Sequence, residues 1–205
     1  MVNVAVIDYD MGNLHSACKG LEKAGAAAKI TSDSAEILAA DAVVLPGVGA
    51  FDPAMRNIRE RNLEQIIKDA IASGKPFLGI CVGLQLLFDG SEEGSEAGLG
   101  IIPGVVRRFH SEPNITIPQM GWNQLELSQN QLSLWQKLPK NPYLYFVHSY
   151  YVDPIDKGII AGNVTHGSQT VTAAIACDNL MAVQFHPEKS SDNGLQILSN
   201  FVALI

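Results

Sequence analysis

The chain has 205 residues, of which 47% are apolar and 17% charged, a size and balance suited to one well-buried core and short for two. The formal charge of −7 comes with scattered Lys and Arg residues and no basic stripe, which argues against a nucleic-acid partner. No apolar run approaches the roughly 18 residues that cross a bilayer, and residues 1–10 lack a basic n-region, so no membrane partner and a cytoplasmic location are expected. We read residues 1–205 as a single domain. Cys18, Cys81 and Cys177 are odd in number and have no C-x-x-C spacing, which argues against a disulfide framework or a structural zinc site. Neither a metal nor a cofactor is expected.

Residues 3–7 are apolar and rich in β-branched side chains, and Leu14, Ala17, Cys18 and Leu21 follow at helical spacing with Gly25 as a stop. A second strand, residues 42–45, runs into Pro46-Gly47-Val48-Gly49, after which Asp52-Pro53 reads as an N-cap and first helical residue. Leu63, Ile66, Ile67, Ala70 and Ile71 form a helical stripe. Residues 76–80 then read as a buried strand and 82–88 as a helix. Buried strands alternating with helices imply an α/β fold, a mostly parallel central sheet flanked by helices, with ligands at the carboxyl ends of the strands. From about residue 104 to 184 the pattern changes to short strands, as at 143–147, 158–164, 170–177 and 180–185, which read as antiparallel additions. Residues 192–205 read as a closing helix, and no internal repeat is present.

Gly79-Ile80-Cys81-Val82-Gly83 places G-x-C-x-G between a strand and a helix, the context in which G-x-S-x-G builds a nucleophile elbow. Small neighbours let the nucleophile occupy a strained turn, and a helix N-terminus favours a thiolate. Cys18 and Cys177 read as core. A base is available in Gln184-Phe185-His186-Pro187-Glu188, where extended chain puts His186 and Glu188 on one face. Cys81 then attacks, His186 carries the proton and Glu188 orients the imidazole. His148 is the rival base. It has no carboxylate two residues on and reads as a pocket wall, while His15, His110 and His166 have no chemical context. Acyl transfer also needs oxyanion donors, for which the Val82 and Val48 amides are the candidates, the latter flanked by Gly47 and Gly49. Asp52 occupies the third glycine position of G-x-G-x-x-G, which argues against a dinucleotide site.

Together the elbow and the His-Pro-Glu run resemble those of the triad-type, or class I, glutamine amidotransferases. Met120-Gly121-Trp122-Asn123, residues 145–150 and residues 184–190 resemble the branch serving a cyclase in histidine biosynthesis. The resemblance implies that Cys81 forms a γ-glutamyl thioester and releases ammonia to a separate (β/α)₈ cyclase subunit, with which the chain makes a heterodimer. It further implies glutamine contacts at Gln85 and Glu93 and a substrate pocket including Gly47, Gly49, His148, Ser149 and Tyr150. Asn13, Trp122, Tyr145 and Lys189 match interface positions. The family often has Leu and Met where this chain has Val82 and Leu84. Two other readings stand beside this one: a glutaminase or small cysteine peptidase serving another reaction, and a non-catalytic regulatory protein on the same fold.

Overall fold

The computed structural model describes residues 2–205. Its first half is β1 (Asn3–Ile7), α1 (Leu14–Lys23), β2 (Ala27–Thr31), α2 (Ser34–Ala39), β3 (Ala42–Gly47), α3 (Phe51–Glu60), α4 (Glu64–Ala72), β4 (Phe77–Cys81) and α5 (Val82–Gln85). The second half is β5 (Phe88–Ser91), β6 (Ile102–Arg108), β7 (Gln119–Leu127), β8 (Tyr143–His148), β9 (Tyr150–Pro154), β10 (Ile160–His166), β11 (Gln169–Cys177), β12 (Leu180–Val183) and α6 (Ser191–Val202).

The main sheet runs β2-β1-β3-β4-β12-β11-β10-β7-β8. Strands β2, β1, β3, β4 and β12 are mutually parallel, whereas β11, β10, β7 and β8 extend the sheet antiparallel. This is the α/β arrangement with antiparallel additions that the sequence implies. Every residue of β3, β4 and β12 is buried, as parallel strands covered on both faces require. Helix α3 supplies Phe51, Ala54, Met55 and Ile58 to the core, and α1 supplies Ala17, Cys18 and Leu21. Because β12 lies against β4 with Val183 opposite Ile80, the segment leaving β12 emerges level with Cys81. That register brings residues a hundred positions apart to one strand end.

Several local expectations are corrected. The apolar run at 82–88 is not one helix: α5 ends at Gln85, because the Leu86, Leu87 and Phe88 carbonyls accept from the amides of Leu99, Ile101, Ile102 and Gly100. Asp52 does not cap α3. The helix starts at Phe51, two residues earlier than expected, and the Asp52 carboxylate accepts instead from the Ser95 and Glu96 amides at 3.0 and 3.1 Å. Strand β2 and helix α2 fall where no element was expected, and α6 stops at Val202. Cys18 is buried, whereas Cys177, at the end of β11, is only half-buried.

Candidate active site

Cys81 closes β4 with φ +56° and ψ −111°, a conformation that side-chain-bearing residues rarely adopt and that marks a strained elbow. The glycine two residues on is dictated by packing. A Cβ on Gly83 would sit 1.9 Å from the Leu45 carbonyl oxygen of β3, so only glycine lets the elbow lie against the neighbouring strand. Helix α5 is a single turn of four residues, so a macrodipole contributes little here. The turn still offers Val82, whose N–H at the first helical position has no acceptor within the helix.

His186 and Glu188 meet by a route that differs from the extended chain read in the sequence. Residues Pro187–Lys189 form a 3₁₀ turn, closed by the Lys189 amide on the His186 carbonyl, and this turn swings Glu188 under the imidazole. His186 Nδ1 lies 2.8 Å from Glu188 Oε1, with the two side chains only 5% and 3% exposed. Burial opposes a charge on His186, but the neighbouring Cys81 and the bonded Glu188 outweigh it and hold the imidazole above its ordinary range. The ring is thus poised as an imidazolium between a sulfur and a carboxylate.

These groups open onto a cavity of about 340 Å³ walled by Val48, Gly49, Cys81, Gln85, Glu93 and His148, among others. His148 is buried and neutral: burial pushes it down to about 4, the bond to the Tyr150 carbonyl only partly opposing this. Its Nδ1 lies 2.8 Å from that carbonyl and its Nε2 3.2 Å from the Gln119 side-chain oxygen. Gln119 Nε2 is buried without a partner, and exchanging the amide's two ends lets it donate to the unprotonated His148 Nε2. With both nitrogens committed, His148 is a wall of the cavity.

The class-I glutamine amidotransferase family model matches residues 5–205. The chain belongs to this family. It is 74% identical over 202 residues to an imidazole glycerol phosphate synthase subunit HisH from Gloeothece citriformis, covering 98% of this chain and 96% of that protein. The subunit of the same name from Microcystis aeruginosa is 71% identical, at 98% and 95% coverage. Among solved structures, PurLQS from Thermotoga maritima superposes with a TM-score of 0.77 at 18% identity, covering 99% of this chain and 98% of that one, which speaks for the fold alone.

In this class-I amidotransferase, Val48, Gly49, Val82, Gln85, Glu93, His148, Ser149, Tyr150 and Lys189 all line the cavity with Cys81 and His186. Gly47 does not. It is buried beneath the wall, where a Cβ would meet the Gly83 amide and the Tyr9 hydroxyl at 2.7 Å each, so it is a packed pivot, and the looser side of Val48 is Gly49 at φ +87°. Glu93 has a structural bond as well: Oε2 accepts from the Phe51 amide at 2.8 Å, where α3 lacks a side-chain cap. Asn13 caps α1 only by position, leaving its side chain uncommitted to the helix. Trp122 is 53% exposed and stands edge-on to Tyr145. Two residues, Tyr9 and Gln184, have contacts the sequence did not reveal. Tyr9 donates to the Pro46 carbonyl at 2.8 Å, under the Gly47 to Gly49 loop, and burial first, then Cys81, keeps its hydroxyl protonated. Gln184, a wholly buried amide two residues before His186, reaches the Cys81 sulfur. A polar residue at the end of an otherwise apolar strand was the available signal.

Proposed function

We propose that the whole chain acts as one glutaminase domain, the glutamine-hydrolysing subunit of an imidazole glycerol phosphate synthase in histidine biosynthesis. The observation that carries this reading is the buried His186 to Glu188 pair set beside Cys81 at a strained elbow over a cavity of amino-acid size. The Cys81 sulfur adds to the side-chain carboxamide carbon of glutamine, and the oxyanion that forms is met by the Val82 and Val48 amides. His186 gives its proton to the leaving nitrogen, ammonia departs, and a γ-glutamyl thioester remains. His186 then takes a proton from water, whose oxygen attacks the thioester carbon. Glutamate leaves, and the thiolate and imidazolium are restored. Glu188 holds the ring in orientation throughout.

The ammonia passes to a cyclase subunit, which joins it to a phosphoribosyl-formimino aminoimidazole nucleotide and yields imidazole glycerol phosphate and aminoimidazole carboxamide ribotide. Support for a docked partner comes from the β7 and β8 hairpin, where Met120, Trp122 and Tyr143 are 66%, 53% and 53% exposed, large apolar groups that a lone subunit gains nothing by showing to water. Lys189 sits at the cavity mouth, and with Asn13 and Tyr145 completes the proposed interface. Three free thiols suit a reducing, cytoplasmic setting. Control follows from the loop: rotation of the Gly47–Val48 peptide, which carries the Val48 N–H, removes one oxyanion donor, worth on the order of 10² to 10³ in rate. Glutamine hydrolysis is to be measured for the free chain, with the cyclase, and with the cyclase holding its nucleotide. The rate rises at each step on this reading, and equal rates in all three contradict the coupling.

A further inference from the structure

Strand register carries a second polar group to the nucleophile. The pairing of β12 with β4 sets Val183 opposite Ile80, so Gln184 continues level with Cys81 and is 0% exposed there. Its Nε2 donates to Cys81 Sγ at 3.7 Å. Its Oε1 accepts from Gln85 Nε2 at 3.0 Å, and Gln85 Nε2 also donates to the Tyr150 carbonyl at 3.2 Å.

The order of these bonds leaves no freedom in either amide. A backbone carbonyl is only an acceptor, so it holds the NH₂ end of Gln85 toward itself and toward Gln184. Gln184 must answer that donor with its oxygen. Its own NH₂ end is thereby turned to the sulfur. Reversing Gln184 would set two NH₂ groups against each other and an oxygen lone pair against the sulfur. An N–H gains far more from a sulfur anion than from a neutral thiol, so this arrangement is selective for one protonation state.

We propose that Gln184 is a positioning residue for the nucleophile: its side-chain N–H, oriented through Gln85 by the Tyr150 carbonyl, holds Cys81 as a thiolate and fixes the direction of its sulfur. The proposal rests on the reading of Cys81 as the nucleophile. It also gives Gln85 a second duty. Gln85 lines the cavity, so anything that engages it there is felt at the sulfur through one intervening amide.

The test is the pH profile of Cys81 alkylation by iodoacetamide in the full-length chain, followed by mass spectrometry of the Cys81 peptide so that Cys18 and Cys177 do not interfere. Gln184→Met removes the donor at similar volume. The inflection of the profile moves up by about one pH unit and the rate well below the inflection falls about tenfold, while the limiting rate at high pH is retained. A purely structural amide would leave the inflection in place. Gln85→Leu frees Gln184 to turn its oxygen toward the sulfur and moves the profile the same way, which keeps the test open if Gln184→Met does not fold. An unmoved profile in either folded variant overturns the proposal. Failure of the underlying reading is seen separately, as glutamine use that survives Cys81→Ala.

Discussion

Replacing Glu188 with Gln and, separately, with Ala divides what its carboxylate does for His186 into charge and shape. Oε1 accepts from His186 Nδ1 at 2.8 Å, while Oε2 is buried with no partner among the described residues. A glutamine at this position can therefore keep its oxygen on Nδ1–H and place its amide nitrogen where nothing now bonds Oε2. The hydrogen bond survives and the charge does not. Bonds to charged groups contribute about 1.5–3 kcal/mol against about 0.5–1.5 for neutral ones, so Glu188→Gln lowers turnover roughly tenfold. Glu188→Ala loses both the bond and the tautomer control. It falls by about 10² or more, with the roughly 10⁴ seen for orienting carboxylates in serine triads as the ceiling. His186→Ala removes the proton carrier itself and matches loss of Cys81. The pH dependence gives a sharper readout. Because the neighbouring Cys81 and the bonded Glu188 overcome the opposing effect of burial and raise the His186 affinity for its proton, the imidazolium persists to higher pH than a free imidazole. Removing the Glu188 charge moves the alkaline limb of kcat/KM to lower pH. The assay is glutamate release with the cyclase present, across pH. An alkaline limb unmoved in both variants, or a Gln variant as inactive as His186→Ala, refutes the reasoning.

Gly83→Ala drives a Cβ to 1.9 Å from the Leu45 carbonyl oxygen, so β3 and the elbow must part. We expect a loss of about 1–3 kcal/mol in urea unfolding together with loss of glutaminase activity, and a variant with unchanged midpoint and rate contradicts the packing argument. Burial holds His148 at about 4, below the 6.5 of an exposed imidazole, so between those pH values the unfolded chain binds a proton that the folded chain does not. Stability contributed by the neutral ring falls as pH drops through that window. The loss is on the order of 3 kcal/mol and should be absent from the urea-unfolding pH profile of His148→Gln. Met120→Ser combined with Trp122→Ser should leave stability within about 0.5 kcal/mol yet weaken cyclase binding at least tenfold by calorimetry, and unaltered binding would remove that hairpin from the interface.

The parts of the molecule legible in the sequence are those whose cause is local. The elbow shows in Gly79-x-Cys81-x-Gly83 because a strained turn pressed on a neighbouring strand tolerates little else. The strands β1, β3 and β4 show as apolar runs because both faces are covered. What stayed hidden depends on distant partners. Strand β2 reads Ala-Ala-Lys-Ile-Thr, half-exposed at the sheet edge, with too little apolar signal to mark it. The run from Leu86 to Phe88 has helical composition, but its carbonyls are claimed by amides of residues 99–102. The His186 to Glu188 pairing was legible, whereas the 3₁₀ turn that produces it was not, since Pro187 suits an extended chain and a helical first turn alike. Gln184 shows its purpose only once β12 is seen beside β4.

The most direct test of the account is product formation by the assembled pair carrying Cys81→Ala, supplied in turn with glutamine and with free ammonium. The predicted result is synthesis from ammonium at the wild-type rate and none from glutamine. Glutamine-dependent synthesis retained by the alanine variant would contradict the assignment of Cys81 as nucleophile.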